Sequence, residues 1–124
     1  LPLLESSLFE LLYEASKGSL SDVDMNIINK TAVTVVLASK GYPGQYEKNM
    51  KISINTNKSD LVFHAGTTIE GNSLHATGGR VLNAVGFGDN LQEAINDAYK
   101  ISDRIEFKNK YFRTDIGQKG LKYK

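Results

Sequence analysis

Leu61-Val62-Phe63-His64-Ala65-Gly66-Thr67-Thr68-Ile69-Glu70-Gly71-Asn72-Ser73-Leu74-His75-Ala76-Thr77-Gly78-Gly79-Arg80-Val81-Leu82 is the stretch that decides the fold class. Short β-prone runs, Leu61 to Ala65, Thr67 to Glu70, Leu74 to Thr77 and Arg80 to Phe87, are separated only by Gly66, Gly71-Asn72 and Gly78-Gly79. A parallel return needs a crossover of about a dozen residues, so strands this close together pair antiparallel. Upstream, Thr31 to Ser39 is rich in valine and threonine, with apolar residues on both alternating faces. It predicts an interior strand covered on both sides, at the centre of the sheet. Lys51 to Asn55 alternates more openly, Ile52 and Ile54 on one side and Lys51 and Ser53 on the other, which suits a strand with one wet face.

Two helices flank these strands. Ser7-Leu8-Phe9-Glu10 has the spacing of a capping box, and Leu8, Leu11, Leu12 and Ala15 then fall on one buried face, with Gly18 suited to the left-handed residue that ends the helix. That apolar face requires a partner, and the expectation is that part of it lies in polypeptide preceding Leu1. Ser19 to Lys30, polar with Asp22, Asp24 and Asn26, reads as a connector. Asn90-Leu91-Gln92-Glu93 is a second cap signature, followed by an apolar stripe of Leu91, Ala94, Ile95, Ala98 and Ile105 that predicts an amphipathic helix ending near Ile105. The tail from Phe107 mixes Tyr111 and Phe112 with lysines, and reads either as a short strand with a helical turn or as a frayed end. Strands and segregated helices together give α+β, mainly antiparallel sheet with helices packed on one side.

Composition narrows the function classes. At 124 residues the chain is sized for one globular core and leaves no room for a second catalytic domain. Fifteen basic against fourteen acidic side chains leave a net charge of +1, so no general field concentrates nucleic acid or anionic lipid, and any anion site must be local. Without cysteine there is neither a disulfide framework nor a thiolate metal site, which is compatible with a reducing compartment. No apolar run approaches membrane-spanning length, and Leu1-Pro2-Leu3-Leu4 lacks a basic region and a cleavage signature, so a soluble protein cut from something longer is expected.

The candidate sites each carry a bland reading beside a functional one. Gly78-Gly79 suits the two positive-φ corners of a two-residue hairpin. Alternatively it thins the backbone beside Arg80, whose planar fork then meets a phosphate or carboxylate. Gly41-Tyr42-Pro43-Gly44 is a turn by composition, and because it leaves the end of the central strand it also presents amides, Lys40 and Tyr42 to a cleft. His64, beside Phe63 and Val62, reads as a neutral hydrogen-bonded core histidine, and His75 stands alone in another strand. Two lone histidines argue against a zinc site, and no serine, histidine and acid are grouped for nucleophilic catalysis. Thr67 and Thr77 either orient substrate hydroxyls or simply prefer strands. Asp115 in Asp115-Ile116-Gly117 either binds an arginine, Arg113 or Arg80, or caps the last turn.

In order and spacing, Gly41-Tyr42-Pro43-Gly44, Phe63-His64-Ala65-Gly66-Thr67, Thr77-Gly78-Gly79-Arg80-Val81-Leu82, the helix start Asp89-Asn90-Leu91-Gln92-Glu93-Ala94 with Ala98-Tyr99 inside it, and Asp115-Ile116-Gly117 resemble the C-terminal domain of phosphoribosylamine–glycine ligase, also called glycinamide ribonucleotide synthetase. The resemblance runs from the Leu8 helix to about Leu121. One departure is Gln118-Lys119-Gly120, where glycine replaces an alanine usual in the family; another is Lys40, where many relatives carry a different residue.

The resemblance implies an α+β domain of the rudimentary single-hybrid-motif type found in ATP-grasp ligases. It implies that residues 1–18 are the terminal helix of a preceding ATP-grasp domain, 19–30 the connector and 31–124 the C-terminal domain. The implied activity is cytoplasmic purine biosynthesis, in which glycine is joined to 5-phosphoribosylamine as ATP becomes ADP and phosphate. ATP and magnesium or manganese are then cofactors of the whole enzyme, held by domains that precede Leu1, and this fragment alone is expected to be inactive and to bind neither. Its partners are those domains of the same polypeptide and the small-molecule substrates, with no nucleic acid and no membrane. No residue here is expected to be catalytic or to bind metal. Arg80, Gly78, Gly79, Tyr42, Thr67 and Asp115 are the substrate-contacting candidates. Three other readings are a related ATP-grasp ligase or carboxylase, a noncatalytic small-molecule-binding module, and an assembly domain using the Leu8 helix as its interface.

Overall fold

A computed structural model of the protein describes residues 1–123. Eight strands follow in order: β1 (Thr31–Ser39), β2 (Met50–Ile54), β3 (Leu61–His64), β4 (Thr67–Glu70), β5 (Ser73–Ala76), β6 (Arg80–Gly88), β7 (Ile105–Phe107) and β8 (Lys110–Tyr111). Helix α1 (Leu8–Lys17) precedes them and α2 (Leu91–Asp103) lies between β6 and β7. The strands form two sheets, ordered β3-β6-β1-β8 and β4-β5-β2-β7, and every pairing is antiparallel. The fold is therefore α+β, as the close spacing of the strands requires.

The chain changes sheet at nearly every connection. Among the described residues only β4 and β5 form a hairpin within one sheet, about Gly71-Asn72, where Gly71 takes the left-handed φ of 60° that the turn demands. The β3–β4 arm and the β5–β6 arm bend together from one sheet to the other. Continuing the Thr67–Ala76 register back three residues would set His64 opposite Gly79, yet His64 faces Leu82, so the corner absorbs three extra residues on the Thr77–Gly79 side. Gly78-Gly79 is thus part of a sheet-switching corner instead of a two-residue hairpin, and neither glycine has positive φ. Its need for glycine is contact: a Cβ on Gly66 would lie 2.5 Å from the Gly78 Cα.

The core lies between the sheets and α2. Val33, Val35 and Leu37 of β1 meet Leu82 of β6, Met50 and Ile52 of β2, Ile105 and Phe107 of β7, and Ala94, Ile95 and Ala98 of α2. Small residues bring the helix close to the sheet, and a Cβ on Gly86 would sit 2.1 Å from the Ala98 amide nitrogen. Strand β1 departs from the expectation of two covered faces. Val33, Val35, Leu37 and Ser39 are buried while Thr34 and Val36 are exposed: α2 covers one face, and among the described residues the other stays open at these positions. Helix α2 ends at Asp103, so Ile105 belongs to β7 and Ile101 completes the apolar stripe. Beyond it, the Lys108-Asn109 turn carries the tail from one sheet to the other, with Asn109 at φ 62°.

Helix α1 has the expected termini: Ser7 Oγ accepts from the Glu10 amide, and Gly18 adopts φ 76°. Of its stripe only Leu11 is buried; Leu8 and Leu12, with Phe9 and Tyr13, are exposed. Ser19 to Lys30 doubles back on the residues before α1, through the Leu4–Ile27 bridge and Ser6 Oγ, which donates to the Asp24 carbonyl and accepts from the Asn26 amide. No helix among the described residues is long and apolar enough to cross a membrane.

Candidate functional site

Arg80 owes its direction to one extra residue. Strands β1 and β6 pair in register from Thr31–Gly88 to Leu37–Leu82, but Ala38 then faces Arg80, so Val81 is a β-bulge. Strict alternation would place Leu82 in the core, Val81 outside and Arg80 inside. The bulge lets Val81 and Leu82 both enter the core, each fully buried, and returns Arg80 to the outer face beside Val36 and Asn83.

A second wall comes from the end of β1. Gly41 at φ 102° opens a tight turn in which the Tyr42 amide donates to the Ser39 carbonyl at 3.1 Å and the Gly44 amide to the Gly41 carbonyl at 2.8 Å. The Tyr42 ring lies directly on Gly79, where a Cβ would come within 1.9 Å of it. Together Val36, Tyr42, Ala65, Gly66, Gly79, Arg80 and Asn83 line an open pocket of about 440 Å³.

The charge in this pocket is unspent. Arg104 is held by Asp60 at 2.7 Å and Arg113 by Asp115 at 2.6 Å, whereas Arg80 has no carboxylate within ion-pair distance among the described residues. An exposed guanidinium with five donors and no carboxylate partner among the described residues is suited to an incoming phosphate or carboxylate. Among the described residues that line the pocket the other titratable side chain is the Tyr42 phenol, and the arrangement is suited to recognition of an anion.

The other candidates fall elsewhere. Gly78 backs the pocket by its contact with Gly66. Thr67 is outside it, its Oγ1 2.9 Å from His64 Nδ1, on an adjoining surface with Ile69 and Leu74. His64 is therefore exposed, not a core histidine, since the end of β3 is an uncovered edge. Asp115 is taken up by Arg113, whose Nε and Nη2 donate to its two carboxylate oxygens at 2.8 and 2.6 Å. That pairing holds the Asp115 carboxyl below its usual range and the Arg113 guanidinium above its own. The neighbouring backbone is pinned by Tyr99, whose hydroxyl donates to the Arg113 carbonyl and accepts from the Ile116 amide. Among the described residues no three His, Cys, Asp or Glu side chains gather where they would hold a metal ion. Val36 and Asn83 were not singled out from sequence, although Asn83 is the one polar residue within the run Val81 to Val85 and marks the face that stays open.

These features define a small antiparallel α+β domain whose open face carries an arginine-bearing pocket at a sheet-switching corner. The family described as phosphoribosylglycinamide synthetase, C domain, matches residues 32–119. The chain belongs to that family. It is 45% identical over 120 residues to a phosphoribosylamine–glycine ligase of Agrobacterium fabrum, covering 95% of this chain and 28% of that protein. It is 44% identical over 128 residues to a bifunctional purine biosynthetic protein of Dictyostelium discoideum, covering 99% of this chain and 16% of that protein. The crystal structure of a phosphoribosylamine–glycine ligase from Thermotoga maritima superposes with a TM-score of 0.69 at 32% identity, over 86% of this chain and 27% of that one. The chain thus spans less than a third of the length of these relatives.

Proposed function

We propose that this chain is the C-terminal domain of an ATP-dependent carbon–nitrogen ligase of the cytoplasm, which joins glycine to 5-phosphoribosylamine and releases ADP and phosphate in purine biosynthesis. The observation that carries the reading is the family match across residues 32–119, together with relatives of that name aligned over almost the whole chain. The described residues give a divalent ion no ligand set, so no step through a metal is assigned to them; the nucleotide and its ion belong, in this reading, to the other domains of the same polypeptide.

This chain's own residues build one wall of the cleft. Arg80 binds an anionic group of the substrate through charge-assisted hydrogen bonds, and the Tyr42 ring with the Gly78-Gly79 backbone shapes the approach. A wall that holds one reactant in place lowers the barrier by fixing orientation and by excluding the water that would hydrolyse an activated carboxylate. Thr67 and Asp115 stand outside the pocket and are not needed for this role.

The test is an assay of ADP formation that depends on both glycine and 5-phosphoribosylamine, run on the full-length polypeptide containing this domain and on the 124-residue chain by itself. Turnover is expected from the first and none from the second. In the full-length enzyme, Arg80→Ala removes hydrogen bonds to a charged group and should raise the KM for one substrate by about 10- to 100-fold. Unaltered kinetics in that variant would remove Arg80 from the site, and absence of glycine-dependent turnover in the full-length protein would refute the ligase reading.

A further inference from the structure

Among the described residues Ser39 is one of two buried polar side chains, at 1% exposure, and the pocket described above does not include it. It sits at the last position of β1, immediately past the bulge that turns Arg80 outward. Three of its atoms reach segments that form the pocket. Its amide donates to the Gly79 carbonyl at 2.8 Å, its hydroxyl donates to the Gly78 carbonyl at 3.1 Å, and its carbonyl accepts from the Tyr42 amide at 3.1 Å. The corner and the tyrosine turn are thus tied to a single residue.

We propose that Ser39 is a positioning residue for Arg80: its hydroxyl, by holding the Gly78 carbonyl, locks the bulged register in which the guanidinium faces the pocket beside Tyr42. The backbone bonds of Ser39 would form with any residue; the hydroxyl alone is specific to serine. The competing register differs by one residue and exchanges which side chains face the core, so the bulged register is specified by burial together with the hydrogen bonds that hold the strand end. In that competing register Arg80 would point toward apolar residues and Val81 toward water. A buried hydroxyl that meets a carbonyl two residues before Arg80 opposes this slip, and its loss leaves that carbonyl without its side-chain donor. The inference rests on the proposed role of Arg80 in substrate binding.

The experiment is a double-mutant cycle in the full-length enzyme with Ser39→Ala and Arg80→Ala, measuring KM for both substrates, kcat and thermal unfolding. Ser102→Ala is the comparison, since Ser102 is the other buried polar side chain among the described residues and its hydroxyl donates within α2 to the Ala98 carbonyl, away from the pocket. Ser39→Ala is expected to raise, by about tenfold, the KM of the same substrate that Arg80→Ala affects, with little change in kcat. In the Arg80→Ala background it should have no further effect on KM. Ser102→Ala should lower the unfolding temperature without moving either KM. If Ser39→Ala fails to fold, Ser39→Cys, which keeps a weaker donor at the same place, carries the test and should show a smaller rise in the same KM. Equal KM shifts in Ser39→Ala with and without Arg80, or a fall in stability with unchanged KM, would overturn the inference. An Arg80→Ala enzyme with normal KM would instead refute the substrate role on which it rests, a distinguishable result.

Discussion

At the scale of single residues, contact distances separate glycines that serve the pocket from glycines that serve the core. An added methyl on Gly79 meets the Tyr42 ring, a side chain half open to water that can swing away. On Gly86 it meets the Ala98 amide and the Ala94 carbonyl, which are helix backbone and cannot move without lifting α2 from β6. Gly86→Ala should therefore destabilise the fold by about 1–3 kcal/mol or more, as overpacking does. Gly79→Ala should cost less in urea unfolding and shift the Tyr42 ring resonances by NMR; equal stability losses would contradict this assignment. Sequence offers Gly79 as a hairpin corner or a substrate-contact candidate, and it singles out no role for Gly86. It showed that Arg80 follows a glycine pair, but the β-bulge that aims Arg80 depends on how β6 meets β1, and nothing in Val81 or Leu82 marks one of them as extra.

At the scale of elements, local signals and their outcomes agree most closely where neighbouring residues settle the matter. The α2 cap is such a case: Asn90 Oδ1 accepts from the Glu93 amide at 3.0 Å, and Glu93 Oε2 accepts from the Asp89 amide at 2.9 Å. Asn90→Ala should cost about 1 kcal/mol in unfolding free energy, the usual worth of an N-cap. Ile101→Ala, which empties a fully buried place in the stripe, should cost about 2–5 kcal/mol. Comparable losses for the two would mean that α2 is held by its cap as much as by its packing. Strand β4, Thr67 to Glu70, follows directly from flanking glycines. The end of α2 does not, because Ile105 keeps helical spacing with the stripe while the β2 edge captures it into β7. Pairing with a distant strand overrides local periodicity there.

Across the whole molecule, burial is uneven. Strands β1 and β6 with α2 share one continuous core, whereas α1 buries only Leu11 and rests chiefly on the Leu20–Asp22 turn and the segment after it. Hydrogen exchange of the 124-residue chain should therefore show its slowest amides in β1 and β6 and much faster exchange in α1; equal protection would mean that α1 is fastened to the core. Val36 of β1 and Arg80 of β6 share the outer face that carries the open pocket. By itself the sequence determined the antiparallel α+β class, the span of most strands, both helix starts and the family resemblance, because glycine spacing, caps and alternation act over a few neighbouring residues. Only the tertiary structure decided which face of β1 stays open, how the Gly66 and Gly78 corner switches sheets, and which way Arg80 points. Those outcomes turn on the register between strands far apart in the chain, where a slip of one residue exchanges core for surface.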